Sequence, residues 1–169
     1  TYRYQQPGFA YLFLISIAVL GCWNFICDAQ PVSDYEVLIN GANSIINGEF
    51  SSMAQQKDNY FYFYNFQIGY SFYLSIFLRL FRGSLVAMKI LEILIIAVSN
   101  VVVYKIVRLY FSYKESFFTA VLMAVNPYIF MGSGIINNQH ISCLLCLLAI
   151  YIFLSSKKLV NYVFCGVLL

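Results

Sequence analysis

Leu85–Val107 reads LVAMKILEILIIAVSNVVVYKIV, and this stretch decides the fold class. About 20 apolar residues in helical form cross the hydrocarbon core of a bilayer, where no backbone N–H or C=O can go unpaired. Working outward, Phe9–Cys27, Ser116–Gly134 and Ile141–Leu154 are further stretches of this kind or nearly so, and another apolar run begins at Leu159. Pro127 lies inside Ser116–Gly134 and predicts a kink there, which membrane helices tolerate when neighbours satisfy the freed carbonyl. Phe9–Ile26 is long for the apolar core of a signal peptide and has no A-x-A-like cleavage site, so it reads as a retained helix. The expected fold is all-α, a polytopic transmembrane helical bundle.

Composition agrees. Of 169 residues, 62% are hydrophobic and 10% charged, and the mean hydropathy is +0.76. A soluble domain carries roughly 25% charged residues. The net charge of +3 is too small to argue for nucleic acid, and the basic residues flank apolar runs as membrane-edge charges do. The chain starts at Thr1 and stops inside the apolar run Leu159–Leu169, so it reads as the N-terminal fragment of a longer protein. Five cysteines give no framework. Cys22 and Cys27 close the first apolar stretch and Cys165 lies in the last. Cys143 and Cys146 form a C-x-x-C inside an apolar helix, where small apolar filler is a better reading than a metal or redox site.

Tyr60–Phe81 is dense in Tyr and Phe, contains Asn65 and Gln67, and meets Arg79 before completing a clean span. Aromatic residues at this density belong at the headgroup level. If the stretch lies at the interface, Lys105, Arg108, Lys114, Lys157 and Lys158 join Arg3 on the cytoplasmic side, which fits the positive-inside bias. Lys57, Arg79, Arg82 and Lys89 then stay outside. Residues 28–84 become one outer segment carrying surface helices at about 34–47 and 60–82, the second interfacial or re-entrant. Ile135–His140 is a second outer turn. The polar residues thus gather at the outer edge, and the span interiors are nearly free of them, Asn100 and Asn126 being the main exceptions.

Within the outer segment, Pro31-Val32-Ser33-Asp34-Tyr35-Glu36 predicts a helix start. Ser33 is a suitable N-cap and Glu36 completes a capping box. Tyr35, Leu38, Ile39, Ala42, Ile45 and Ile46 then form a one-sided stripe at helical spacing, and Gly48 is suited to end it. An amphipathic helix on the membrane surface is expected. An acid in a first helical turn stabilises it by roughly 0.3–1 kcal/mol through the helix dipole, with no catalysis implied. Asp34 is therefore open between cap and catalyst, and for Glu36 the capping box is sufficient. Asn137-Asn138-Gln139-His140 forms the second cluster, and four adjacent polar side chains there cost insertion energy unless they face protein or a cavity. His140 is the one histidine of the sequence. It reads either as a helix-end cap or as an acid/base or ligand group.

These features together resemble the opening of the GT-C glycosyltransferases, in the branch of protein O-mannosyltransferases and aminoarabinose transferases. The likeness is carried by a first membrane helix, then P-x-S-D-Y and a surface helix ending Asn47-Gly48-Glu49-Phe50, and by Tyr64–Gly69 running on to Leu80-Phe81-Arg82-Gly83. Tyr104–Phe111 is similar to that family's basic cytoplasmic exit, and Ala124-Val125-Asn126-Pro127 and Leu148–Tyr151 to its next helices. Where many relatives place an Asp before the helix starting at Ile141, this chain has Asn137, Asn138, Gln139 and His140.

The resemblance implies a sugar moved from a polyprenyl-phosphate carrier to a glycan, lipid or protein acceptor on the outer side of a bacterial plasma membrane. It puts Asp34 at the family's acidic position, as general base. Lys57, Arg79 and Arg82 are then candidates for the leaving phosphate, with headgroup anchoring as the competing role of the arginines. Glu36, Gln67, Asn138 and His140 complete the expected substrate-binding set. No cofactor is assigned, and a divalent metal stays open because one carboxylate with Asn and His is too small a ligand set to claim one. Two rival classes remain: a multi-pass lipid or solute transporter or flippase, which would favour polar groups at the bilayer midplane, and a structural assembly subunit.

Overall fold

A computed structural model describes residues 8–27, 29–156 and 159–168; Arg3, Asp28, Lys157 and Lys158, which bear on the expected orientation and on the start of the outer segment, lie outside them. Every regular element among the described residues is helical. In order these are α1 (Gly8–Ile26), α2 (Asp34–Asn47), α3 (Phe50–Ala54), α4 (Tyr60–Phe63), a 3-10 turn (Asn65–Gln67), α5 (Ile68–Leu80), α6 (Leu85–Val107), α7 (Tyr113–Ala124), α8 (Pro127–Gly132), α9 (Asn138–Ser155) and α10 (Leu159–Leu168). Three of them, α1, α6 and α9, are long and apolar enough to cross a membrane. The chain is an all-α membrane bundle that divides into two compact units, residues 29–90 and the remainder.

In the larger unit, α1 is the common packing partner. Leu12 meets Tyr104 of α6 and Ala120 of α7, while Leu20 packs with Ile93 and Ile96 of α6 and with Ile129 and Phe130 of α8. Lipid tails are as apolar as these side chains, so close packing and interhelical hydrogen bonds hold such helices together more than exclusion from water does. Two such bonds tie α1 down. Asn100 Nδ2 donates to Ser16 Oγ at 3.1 Å, and Asn24 Nδ2 donates to Ser133 Oγ at 2.9 Å.

The stretch Ser116–Gly134 is two helices rather than one kinked span. Proline disfavours helical geometry in the residue before it, and Asn126 is extended, at φ −63° and ψ 123°. Its side chain accepts the Tyr128 N–H at 3.0 Å, so α8 starts afresh with Pro127 in its first turn. There proline's missing N–H costs nothing. The fourth stretch starts three residues early, at Asn138, because Asn137 caps it by accepting the Gln139 N–H at 2.7 Å.

In the unit of residues 29–90, α2 lies against α5 and buries Leu38, Ile39, Gly41 and Ala42. Ser71 donates to the Leu38 carbonyl at 3.3 Å. Gly41 admits the ring of Phe61, which is 2% exposed and meets Phe50 edge-on at 5.2 Å. Gly48 ends α2 in the left-handed region, at φ 77°, as expected. The start differs. Ser33 stands at the N-cap position with φ 57° and makes no side-chain cap, so the expected Ser33/Glu36 capping box does not form.

Tyr60–Phe81 is broken rather than continuous, by Tyr64 and the 3-10 turn after it. Beyond that break, α5 has 13 residues, about 20 Å at 1.5 Å per residue. That is short of the roughly 30 Å hydrocarbon core. It ends through Arg82 (φ 53°) and Gly83 (φ 77°), with the Gly83 N–H donating back to the Leu78 carbonyl at 2.7 Å.

Candidate functional site

Two groupings of chemistry-bearing side chains emerge, one in each unit. In residues 29–90, Asp34 is exposed in the first turn of α2. The Tyr60 hydroxyl, from the start of α4, donates to its carboxylate. The Tyr60 phenol is held above its ordinary value by burial first, then by the fields of Asp34 and Tyr64 and by that hydrogen bond. Tyr60 is a partner of Asp34 absent from the sequence-derived candidates. No periodicity points to it, since it comes from a different helix.

The remaining expected residues of this unit are spread out. Glu36 is exposed two positions after Asp34, which on a helix turns it about 200° away. Lys57 is exposed in the turn between α3 and α4, and Gln67 is half-buried at the end of the 3-10 turn. Arg79 and Arg82 are exposed at the far end of α5, about 18 Å of helix beyond Gln67 at 1.5 Å per residue. Among the described residues no ion pair joins either arginine to Asp34.

The larger unit holds a close polar contact between two helices. His140 Nδ1 lies 2.8 Å from Glu92 Oε2, with Glu92 1% exposed and His140 14%. Glu92 sits in α6 and His140 in the first turn of α9, placed there by the Asn137 cap. Asn138 is half-buried in the same turn. His140 is therefore no helix cap; its ring reaches across to another helix. Gly132, at the end of α8, lies near the ring's other nitrogen. A Cβ there would stand 3.6 Å from Nε2.

The reading that span interiors are nearly free of polar groups does not hold. Beyond the expected exception Asn100, the residues Glu92, Ser99 and Ser16 are also buried within α1 and α6. The sequence does carry a signal for Glu92. One acid in a long apolar run is expensive in lipid, and such residues face the bundle and find a partner. Among the described residues no three His, Cys, Asp or Glu side chains gather as a metal site would require.

Comparison with known proteins adds one positive finding. The family model described as dolichyl-phosphate-mannose-protein mannosyltransferase matches residues 68–169. No curated protein and no solved structure matches the chain.

Proposed function

The chain belongs to the dolichyl-phosphate-mannose-protein mannosyltransferase family, and we propose that it moves a hexosyl group from a polyprenyl-phosphate carrier to an acceptor hydroxyl at the outer face of a bacterial plasma membrane. The coarser part follows from the family: a membrane glycosyltransferase using a lipid-linked sugar. The family match carries the reading, with three helices of membrane-crossing length in support. It also sets transfer ahead of transport. The outer face rests on the positive-inside bias, with Lys105, Arg108 and Lys114 around the turn between α6 and α7 as the inner charges. The acceptor is a cell-envelope glycan, a lipid or a protein.

In the reaction the acceptor oxygen forms a bond to the anomeric carbon as the bond from that carbon to the carrier phosphate breaks. The acceptor's proton passes to Asp34, and the polyprenyl phosphate leaves with the bonding electrons. A carboxylate is a weak base, so it works in concert with attack and must be held within hydrogen-bond reach. The interaction of Tyr60 with Asp34 supports this by helping to hold the carboxylate in place. Glu36 and Gln67 in the unit of Asp34, and Asn138 and His140 in the other unit, are the further polar candidates for substrate contacts. Lys57, Arg79 and Arg82 are the cations for the leaving phosphate, whose growing charge a fixed donor stabilises.

The test is mannosyl transfer from a short-chain polyprenyl-phosphate mannose by the purified full-length protein and its Asp34→Asn variant. A fall of about 100-fold or more, in the range of lost general-base catalysis, is expected with folding intact. Full activity in a folded variant reduces Asp34 to a helix-start acid.

A further inference from the structure

The transfer as proposed gives no role to Glu92, yet this buried residue meets the imidazole of His140. An ionised carboxylate can only accept, so Glu92 Oε2, 2.8 Å from Nδ1, selects the tautomer that carries its proton on Nδ1. In the neutral ring that leaves the lone pair on Nε2, which makes this nitrogen an acceptor. The carboxylate also sets the ring's rotation, because Glu92 is 1% exposed and anchored in α6. Gly132 carries no side chain beside Nε2, where a Cβ would come to 3.6 Å, so the glycine leaves this nitrogen unscreened by a methyl group. α10 packs on α9 farther along, with Cys165 donating to the Ala149 carbonyl at 3.3 Å.

We infer that Glu92 is a positioning residue that presents His140 Nε2 as a hydrogen-bond acceptor to a substrate hydroxyl. Resting on the transferase reading, this names the chemistry that the polar turn recognises. Sugar and acceptor both offer hydroxyl groups, and the shared chemistry is an O–H donated to Nε2. Glutamine at position 92 is close to isosteric but not equivalent. It offers Nδ1 either a carbonyl or an N–H, so both tautomers become permitted and the accepting role of Nε2 is no longer specified. Alanine at position 132 adds a methyl group at ordinary contact distance from Nε2, without disturbing the pair.

The experiment has two readouts on the full-length protein. In the first, 15N-histidine spectra of wild type and Glu92→Gln are compared, with a His140→Gln sample to identify the resonance. The Nδ1–H tautomer is expected in wild type and a mixture in Glu92→Gln. An Nε2–H tautomer in wild type overturns the inference whether or not sugar is transferred. In the second, kcat and KM are measured with polyprenyl-phosphate mannose and its monodeoxy analogues, for wild type, Glu92→Gln, His140→Gln and Gly132→Ala.

If the hydroxyl belongs to the sugar, all three variants raise donor KM about tenfold, the effect of one lost polar contact. One deoxy donor then reproduces that loss in wild type and shows no further loss in His140→Gln. If the hydroxyl belongs to the acceptor, acceptor KM and kcat change while every donor is affected alike. Unchanged kinetics in folded Glu92→Gln and Gly132→Ala overturn the inference and leave the transferase standing. Absence of transfer by wild type, with the Nδ1–H tautomer present, removes the transferase reading and retains the positioning role of Glu92.

Discussion

The chain contains two Ser-x-x-Glu starts, Ser33-Asp34-Tyr35-Glu36 and Ser112-Tyr113-Lys114-Glu115, and they behave differently. At Ser112 the reciprocal box forms: the Glu115 N–H donates to the serine hydroxyl at 3.5 Å, and the Ser112 N–H donates to the Glu115 carboxylate at 2.9 Å. At Ser33 the backbone is in the left-handed region, at φ 57°, and the hydroxyl caps nothing. The same spacing therefore yields a cap in one place and leaves Asp34 and Glu36 outside a cap in the other. The reason lies in what holds each helix. α7 begins in a short exposed turn, where local hydrogen bonds decide the geometry. α2 is fixed from its far side, where Gly41 receives Phe61 and Leu38 receives Ser71. The chain entering α2 then takes the path that this docking leaves it.

If docking rather than capping holds α2, the largest effect comes from filling the docking notch. Gly41→Leu is expected to destabilise the full-length protein in detergent by about 1–3 kcal/mol or more, the usual range for overpacking. A Cβ at Gly69 meets nothing within 4 Å, so a Gly69→Ala control should not destabilise. Equal losses at both positions would mean that the fit of Phe61 against Gly41 is not what holds α2.

Next in size is the cap that does form. Ser112→Ala should cost about 1 kcal/mol, whereas Ser33→Ala should stay within about 0.5 kcal/mol, as for a surface change. Matching losses at the two serines would erase the contrast.

A pH series sharpens it further. The hydrogen bonds from the Ser112 side chain and backbone hold the Glu115 carboxyl below its ordinary value. A folded-state value below the unfolded one adds stability that is fully present above the unfolded value and lost as pH falls through the folded one. The difference in melting temperature between wild type and Glu115→Gln should therefore shrink on acidification through the lower carboxylate range. A constant difference across that range would assign the effect to something other than this cap.

The last effect expected is a gain. Ser33→Gly removes the Cβ strain of a left-handed residue without losing a cap and should raise stability by about 1 kcal/mol. A loss instead would show that the serine hydroxyl is engaged.

Much of the membrane architecture is legible in the residues themselves. α1 and α6 follow from unbroken apolar length, since lipid satisfies no backbone group and a long apolar run leaves a helix as the open solution. Gly48 ends α2 as its composition suggests. Asn126-Pro127 reads as a kink by apolar length alone, although the pairing of a capping side chain with a proline is itself a restart signal. Glu92 escapes notice because an average over an apolar run hides a single acid.

Sequence by itself therefore determined the membrane class, the helical content and the family likeness, all of which depend on composition and local spacing. It placed Asp34 and His140 among the candidates but could not say what each touches. Packing of separate helices decided that Tyr60 meets Asp34, that Glu92 meets His140 across 48 positions of sequence, and that Ser33 caps nothing. Such contacts depend on how two helix faces are rotated and stacked, and no periodicity within either helix encodes that rotation.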